Sequence, residues 1–241
     1  MLYIPLGELK LQIFDEYEIK ARYIPAILSA IPLIMLTSYA KEEILLNLFK
    51  SAHWFLIVEN VTLSFIIIVF IINIQRFIAK YFFEDRIFEK GLKFPTTEML
   101  LWIDERLSKE YKMKIHNKIK NDFNLKLSNE MEEKDDILEA KKKAKDSVSL
   151  IRIKVGKGVH THQYNIQYGF IRNFIAGTLL SLPIALFNIY LFTYQIPVDY
   201  GVYISIFISI LDIVFIVFNK IFLKKLGVYY ARVLFSEYIS L

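Results

Sequence analysis

Residues 174–196 read FIAGTLLSLPIALFNIYLFTYQI, and residues 202–223 read VYISIFISILDIVFIVFNKIFL. The first stretch has no Asp, Glu, Lys or Arg, and the second has only Asp212 before Lys220. A helix needs roughly 17–25 apolar residues to cross the hydrocarbon of a bilayer. Helices buried in water-soluble cores rarely run that far without charge, so these two stretches place the chain among membrane proteins.

Two earlier windows have the same character: residues 23–40, YIPAILSAIPLIMLTSYA, and residues 54–74, WFLIVENVTLSFIIIVFIINI. The first is short and carries Pro25 and Pro32, seven residues apart on one helical face, which predicts a kink. The four windows fall into two pairs. The expected fold class is therefore an all-α membrane protein: two transmembrane helical hairpins, 23–75 and 172–223, flanking a mostly helical cytosolic insert, 76–171. Residues 1–22 read as a cytosolic amphipathic segment and residues 224–241 as a cytosolic tail.

Composition agrees. The 241 residues are 55% hydrophobic, with mean hydropathy +0.37, above the 45–50% apolar content of ordinary soluble domains. There is no cysteine, which removes disulfides, thiolate metal sites and cysteine nucleophiles. The start of the chain has no basic stretch followed by an apolar run, so a cleavable signal peptide is not expected.

Lys and Arg set the orientation. The loop 41–53 has Lys41 and Lys50, and the loop 197–201 has neither Lys nor Arg. The other ends carry Lys20, Arg22, Arg76, Lys80, Arg86, Lys90, Lys93, Arg172, Lys220, Lys224 and Lys225. This asymmetry puts both termini and the insert in the cytoplasm.

The insert holds 20 Lys and Arg against 15 Asp and Glu. Its first residues continue the helical period of the second window through Phe77, Ile78, Tyr81, Phe82 and Phe88. Pro95 with Glu98 marks a helix start, and Ser108 is placed to cap a helix in which Tyr111, Ile115 and Ile119 recur every four residues. Ile137, Ala140, Ala144, Val148 and Ile151 predict another helix. Beyond it, IRIKVGKGVHTHQ (151–163) alternates apolar residues before two glycines, so a small β-hairpin is the expected alternative there.

No catalytic constellation stands out, and neither a cofactor nor a metal is expected. His160 and His162 could share a strand face, but no third ligand is near in sequence and there is no HExxH. The cationic run is more informative: Lys141, Lys142, Lys143, Lys145, Arg152, Lys154 and Lys157, against Asp146 alone. It reads either as a solvated face beside anionic lipid or as a site for a polyanion, with His160 or Tyr164 available to stack on bases. The stretch 160–177, HTHQYNIQYGFIRNFIAG, then joins this region to the bilayer. Tyr164, Tyr168 and Phe170 form an interfacial aromatic belt, and Gly169 allows a bend.

Polar residues inside the apolar windows ask for an explanation, since intramembrane carboxylates are costly. Ser205, Ser209, Asp212 and Asn219 form one stripe; Gly177, Ser181, Asn188 and Gln195 form another; Glu59 and Asn60 sit in the second window with Thr62 and Asn73. They serve either interhelical hydrogen bonding or a hydrated ion path through an oligomer. For that path the candidates are Glu59, Asn60, Asn188, Ser205, Ser209, Asp212 and Asn219.

Three segments, FDEYEIKARYIPA (14–26), FPTTEMLL (94–101) and YNIQYGFIRN (164–173), together resemble the four-helix membrane effectors of bacterial anti-phage defence operons, of the Hailong type. The resemblance implies a homo-oligomeric, tetrameric channel of the inner membrane. It also implies an oligonucleotide or cyclic nucleotide signal, made by a partner nucleotidyltransferase, that controls the channel. A non-conducting membrane anchor that recruits a cytosolic partner is the alternative function.

Overall fold

The computed structural model describes residues 15–39, 61–156 and 158–241. Glu59, Asn60 and Lys157, most of the segment 1–22 and the loop 41–53 lie outside the described residues. Among the described residues every regular element is helical.

Helix α1, Glu16–Ser29, and helix α2, Ile31–Tyr39, form a bent pair turned by 43° at the break. The prolines explain the geometry. Pro25 has no N–H for the Ala21 carbonyl four residues back. The backbone winds as a π-helical turn over Ile19–Tyr23, with the Ile24 N–H reaching the Ile19 carbonyl. The bend follows at Ala30, ahead of Pro32. Helix α3, Val61–Ile78, runs on through a π-helical stretch, Ala79–Glu84, to Asp85–Ile87.

The next elements build a water-facing lobe. Helix α4 is Pro95–Glu98 and opens on the expected proline. Helix α5, Lys109–Phe123, is capped by Ser108, whose Oγ accepts from the Tyr111 N–H at 3.3 Å. Helix α6, Glu130–Asp135, starts with a capping box between Asn129 and Glu132. Helix α7 is Ile137–Val155. Ile115 and Ile119 of α5 bury against the stripe Ala140, Ala144, Val148 and Ile151 of α7.

Helix α8, Val159–Tyr194, has 36 residues. At 1.5 Å per residue it is about 54 Å long, against a hydrocarbon core of about 30 Å. Helix α9, Asp199–Val217, packs back along it. Both are long and apolar enough to cross a membrane, and the α1–α2 pair qualifies as a third, broken span. Helix α10, Asn219–Ser240, returns to the lobe and packs on α4, α7 and α8.

Three features differ from the sequence reading. The β-hairpin over 151–163 is absent: α7 runs to Val155, Gly156 turns the chain at φ 60°, and α8 begins at Val159. The alternation there is incidental, because Ile151 is fully buried while Ile153 is 77% exposed. Gly169 does not bend α8. It lets α1 approach, since a Cβ there would lie 2.9 Å from the Tyr17 hydroxyl and 3.0 Å from Ala21 Cβ. Residues 224–241 are not set apart as a tail but form most of α10, where Leu234, Phe235 and Tyr238 are wholly buried. Their spacing from Leu223 through Ala231 is an unbroken helical stripe.

Candidate functional site

Where α3 and α8 leave the apolar zone, a cavity of about 400 Å³ opens in the lobe. Four elements supply its polar wall. Helix α7 presents Lys145, Ser149 and Arg152, at i, i+4 and i+7 of one face. Helix α8 presents Thr161, Asn165, Tyr168 and Arg172, again one face, together with His162. The π-helical end of α3 gives Lys80 and Glu84, and α4 gives Thr96 and Thr97. Gly91, at φ 94°, lines the rim, where the stem of Lys145 lies 3.4 Å from the position a Cβ would take.

One carboxylate organises the membrane-proximal wall. Glu84 accepts from Lys80 at 2.6 Å, from Arg172 at 2.8 Å and from the Tyr168 hydroxyl at 3.0 Å. Burial alone would raise the Glu84 carboxyl, but Arg172 and Lys80 outweigh it and hold the group below its ordinary range. Burial, with Glu84 beside it, pushes the Tyr168 phenol well up, so it stays a donor.

The α7 part of the lining is cationic. Neither Lys145 nor Arg152 has a carboxylate partner among the described residues. The Arg152 guanidinium instead lies 5.5 Å from the ring centres of both Phe94 and Tyr230. Thr96 is fully buried and its hydroxyl has no hydrogen-bond partner; the Arg172 Nε is also buried and unpartnered. Buried polar atoms are normally satisfied, so these two leave hydrogen-bonding capacity beside the cavity that a water or another polar group can take up.

The cationic run therefore divides. Lys145 and Arg152 reach the cavity. Lys154 is tied to Asp122 at 2.7 Å, and Lys142 lies 3.9 Å from Glu139. Lys141 and Lys143 do not line the cavity, and Lys157 is outside the described residues. Tyr164 packs beside Tyr229, with ring centres 6.4 Å apart. His160 serves through its backbone: Glu237 of α10 accepts from the N–H groups of His160 and Thr161, at 2.8 and 3.1 Å, and so caps α8. The periodicity of α8 held the signal for Tyr168 and Arg172, and Lys80 with Glu84 is an i, i+4 pair. Reading 151–163 as strand separated them from Lys145 and Arg152.

Several polar residues of the apolar helices face inward, whereas Asn73 and Gln195 are exposed. Ser205, Ser209 and Asp212 are buried against α8, and the two serines bond to carbonyls one turn back. Asn188 donates to the Pro32 carbonyl of α2 at 2.7 Å. Asn219 is half-buried and bonds to the Ile216 carbonyl at the break between α9 and α10. A second polar cluster lies one residue past Arg172. Asn173 donates to the Ala21 carbonyl at 2.6 Å, the group Pro25 leaves without its usual donor. Gln75 donates to the Asn173 carbonyl at 2.7 Å and approaches the Ser29 hydroxyl at 3.4 Å. Gly177 admits this contact, because a Cβ there would sit 1.9 Å from Ser29 Oγ. Helices α1, α3 and α8 are thus joined directly beneath the cavity.

No family model, no curated protein and no solved structure matches the chain.

Proposed function

We propose that the chain is an oligomeric inner-membrane effector whose cytosolic cavity senses a phosphate-bearing anion and whose bilayer segments respond by opening or closing an ion path. One observation carries this reading: α8 lines the cavity with Tyr168 and Arg172 and continues without a break as an apolar span. A change at the cavity then acts on the same continuous helix that α9 packs along. In this reading residues 54–74 and the α1–α2 pair complete four spans, with both termini in the cytoplasm. The resemblance noted for 14–26, 94–101 and 164–173 suggests anti-phage defence, a homotetramer and a nucleotide signal from a partner nucleotidyltransferase.

A potential-sensitive dye in induced bacteria, paired with ion flux from liposomes, tests it. Depolarisation by the wild-type chain, altered in Lys145→Met/Arg152→Gln at equal membrane abundance, is the expected result. Unchanged potential in cells together with no flux from liposomes, with and without added nucleotides, rejects it. The second reading, a non-conducting anchor, is favoured by the inward aim of Ser205, Ser209 and Asp212. It predicts silent liposomes and a cytosolic protein that copurifies with the chain.

A further inference from the structure

Resting on the reading of the cavity as a ligand site, we propose that it recognises the terminal phosphate monoester of a small ligand and discriminates against phosphodiesters.

Charge balance carries the argument. Glu84 and Asp85 already neutralise Lys80 and Arg172. Lys145 and Arg152 remain uncompensated among the described residues. Two free cations match a phosphate monoester, which carries about −1.5 to −2 near pH 7 and offers three terminal oxygens. A phosphodiester brings a single negative charge and two free oxygens, so it leaves one cation and one donor unmet.

Geometry agrees. The Arg152 guanidinium lies 5.5 Å from the centres of both the Phe94 and the Tyr230 rings. A fixed guanidinium presents a planar fork suited to two phosphate oxygens, while Lys145 acts as a point charge beside it. The unpartnered Thr96 hydroxyl and Arg172 Nε are further donors in the wall. The volume of about 400 Å³ lies toward the small end of the roughly 300–1,000 Å³ range of ligand pockets. It suits one nucleotide or sugar phosphate, and only the end of a longer polymer. The monoester could come from a soluble nucleotide or from a phosphatidate headgroup, since the cavity sits just outside the bilayer zone.

The experiment uses the full chain, in detergent and in nanodiscs, with adenosine 5′-monophosphate, its 3′,5′-cyclic diester and inorganic phosphate as probes. The monoester is expected to bind at least about tenfold more tightly than the diester, since a lost charge-assisted hydrogen bond of roughly 1.5 kcal/mol is a tenfold change. Arg152→Lys, which keeps the charge and removes the fork, should lose most of that preference, and Lys145→Met should weaken the monoester with no change in unliganded melting temperature. Phosphatidate in the nanodisc, compared with phosphatidylglycerol, identifies the source: competition with the soluble probe assigns the site to lipid, and its absence assigns it to a soluble ligand. Equal affinity for monoester and diester overturns the proposal and leaves the cavity a general anion site. A folded protein that binds none of the probes, phosphatidate included, overturns the reading of the cavity as well.

Discussion

Helices α9 and α10 follow one another with only Phe218 between them and have similar lengths, yet they are built inside out relative to each other. On α10 the buried positions are Leu223, Gly227, Tyr230, Ala231, Leu234, Phe235 and Tyr238, and Lys224 and Lys225 are exposed. On α9 the buried positions are Gly201, Ser205, Ser209 and Asp212, while Phe207, Ile210 and Val217 are 66%, 58% and 64% exposed. The same rule of minimising unfavourable contact with solvent gives both patterns once the solvents differ. Water rewards apolar burial around α10. Lipid removes that drive, so small and polar residues make the contact between α8 and α9.

The hardest test of this contrast is a pair of alanine substitutions read by thermal unfolding of the detergent-solubilised chain. Phe235→Ala should cost about 3–5 kcal/mol, as deletion of a fully buried ring does. Phe207→Ala should cost less than about 0.5 kcal/mol. Equal losses would mean that the outer face of α9 is covered by protein. A second probe lies at the seam between the two solvents. Glu84→Gln should cost about 3 kcal/mol, because it leaves the Arg172 charge without its anion. The sign of the linked pH effect follows from the lowered Glu84 carboxyl. Its contribution is fully present above the ordinary glutamate value of 4.5 and is lost as pH falls through the lower folded value. The acid limb of the stability curve should therefore flatten in Glu84→Gln.

Smaller effects sharpen the lipid side. Gly177→Ala forces Ser29 and Gln75 away and should cost about 1–3 kcal/mol, seen as a lowered melting temperature. Asn173→Leu leaves the Ala21 carbonyl without its side-chain donor and should cost about 0.6–1.7 kcal/mol, the range for hydrogen bonds between membrane helices. Least of all, Lys154→Ala removes a part-exposed ion pair to Asp122 and should change stability by about 0.2–1 kcal/mol.

Much of this architecture was legible in the sequence because hydropathy and helical spacing are local signals. The apolar run at 174–196, the Ser108 cap and the α7 stripe from Ala140 to Ile151 all follow from neighbours a few residues apart. The proline kink was legible for the same reason. The cavity was not, because its walls come from segments far apart: Glu84 meets Arg172 across 88 positions, and Arg152 meets Phe94 and Tyr230. Charge density alone did not separate Lys141, Lys142 and Lys143, which are not in the lining, from Lys145 and Arg152, which are. The polar stripe of α9 was visible in its spacing, but the direction it faces depends on where α8 packs.

The placement of Tyr230 has a consequence for biosynthesis. A ribosome finishes α8 and α9 before it makes α10, so the helices that enter the bilayer exist before one wall of the cavity does. Glu237, which closes the first turn of α8, is translated later still. The cavity is thus completed only when α10 folds back onto α4, α7 and α8.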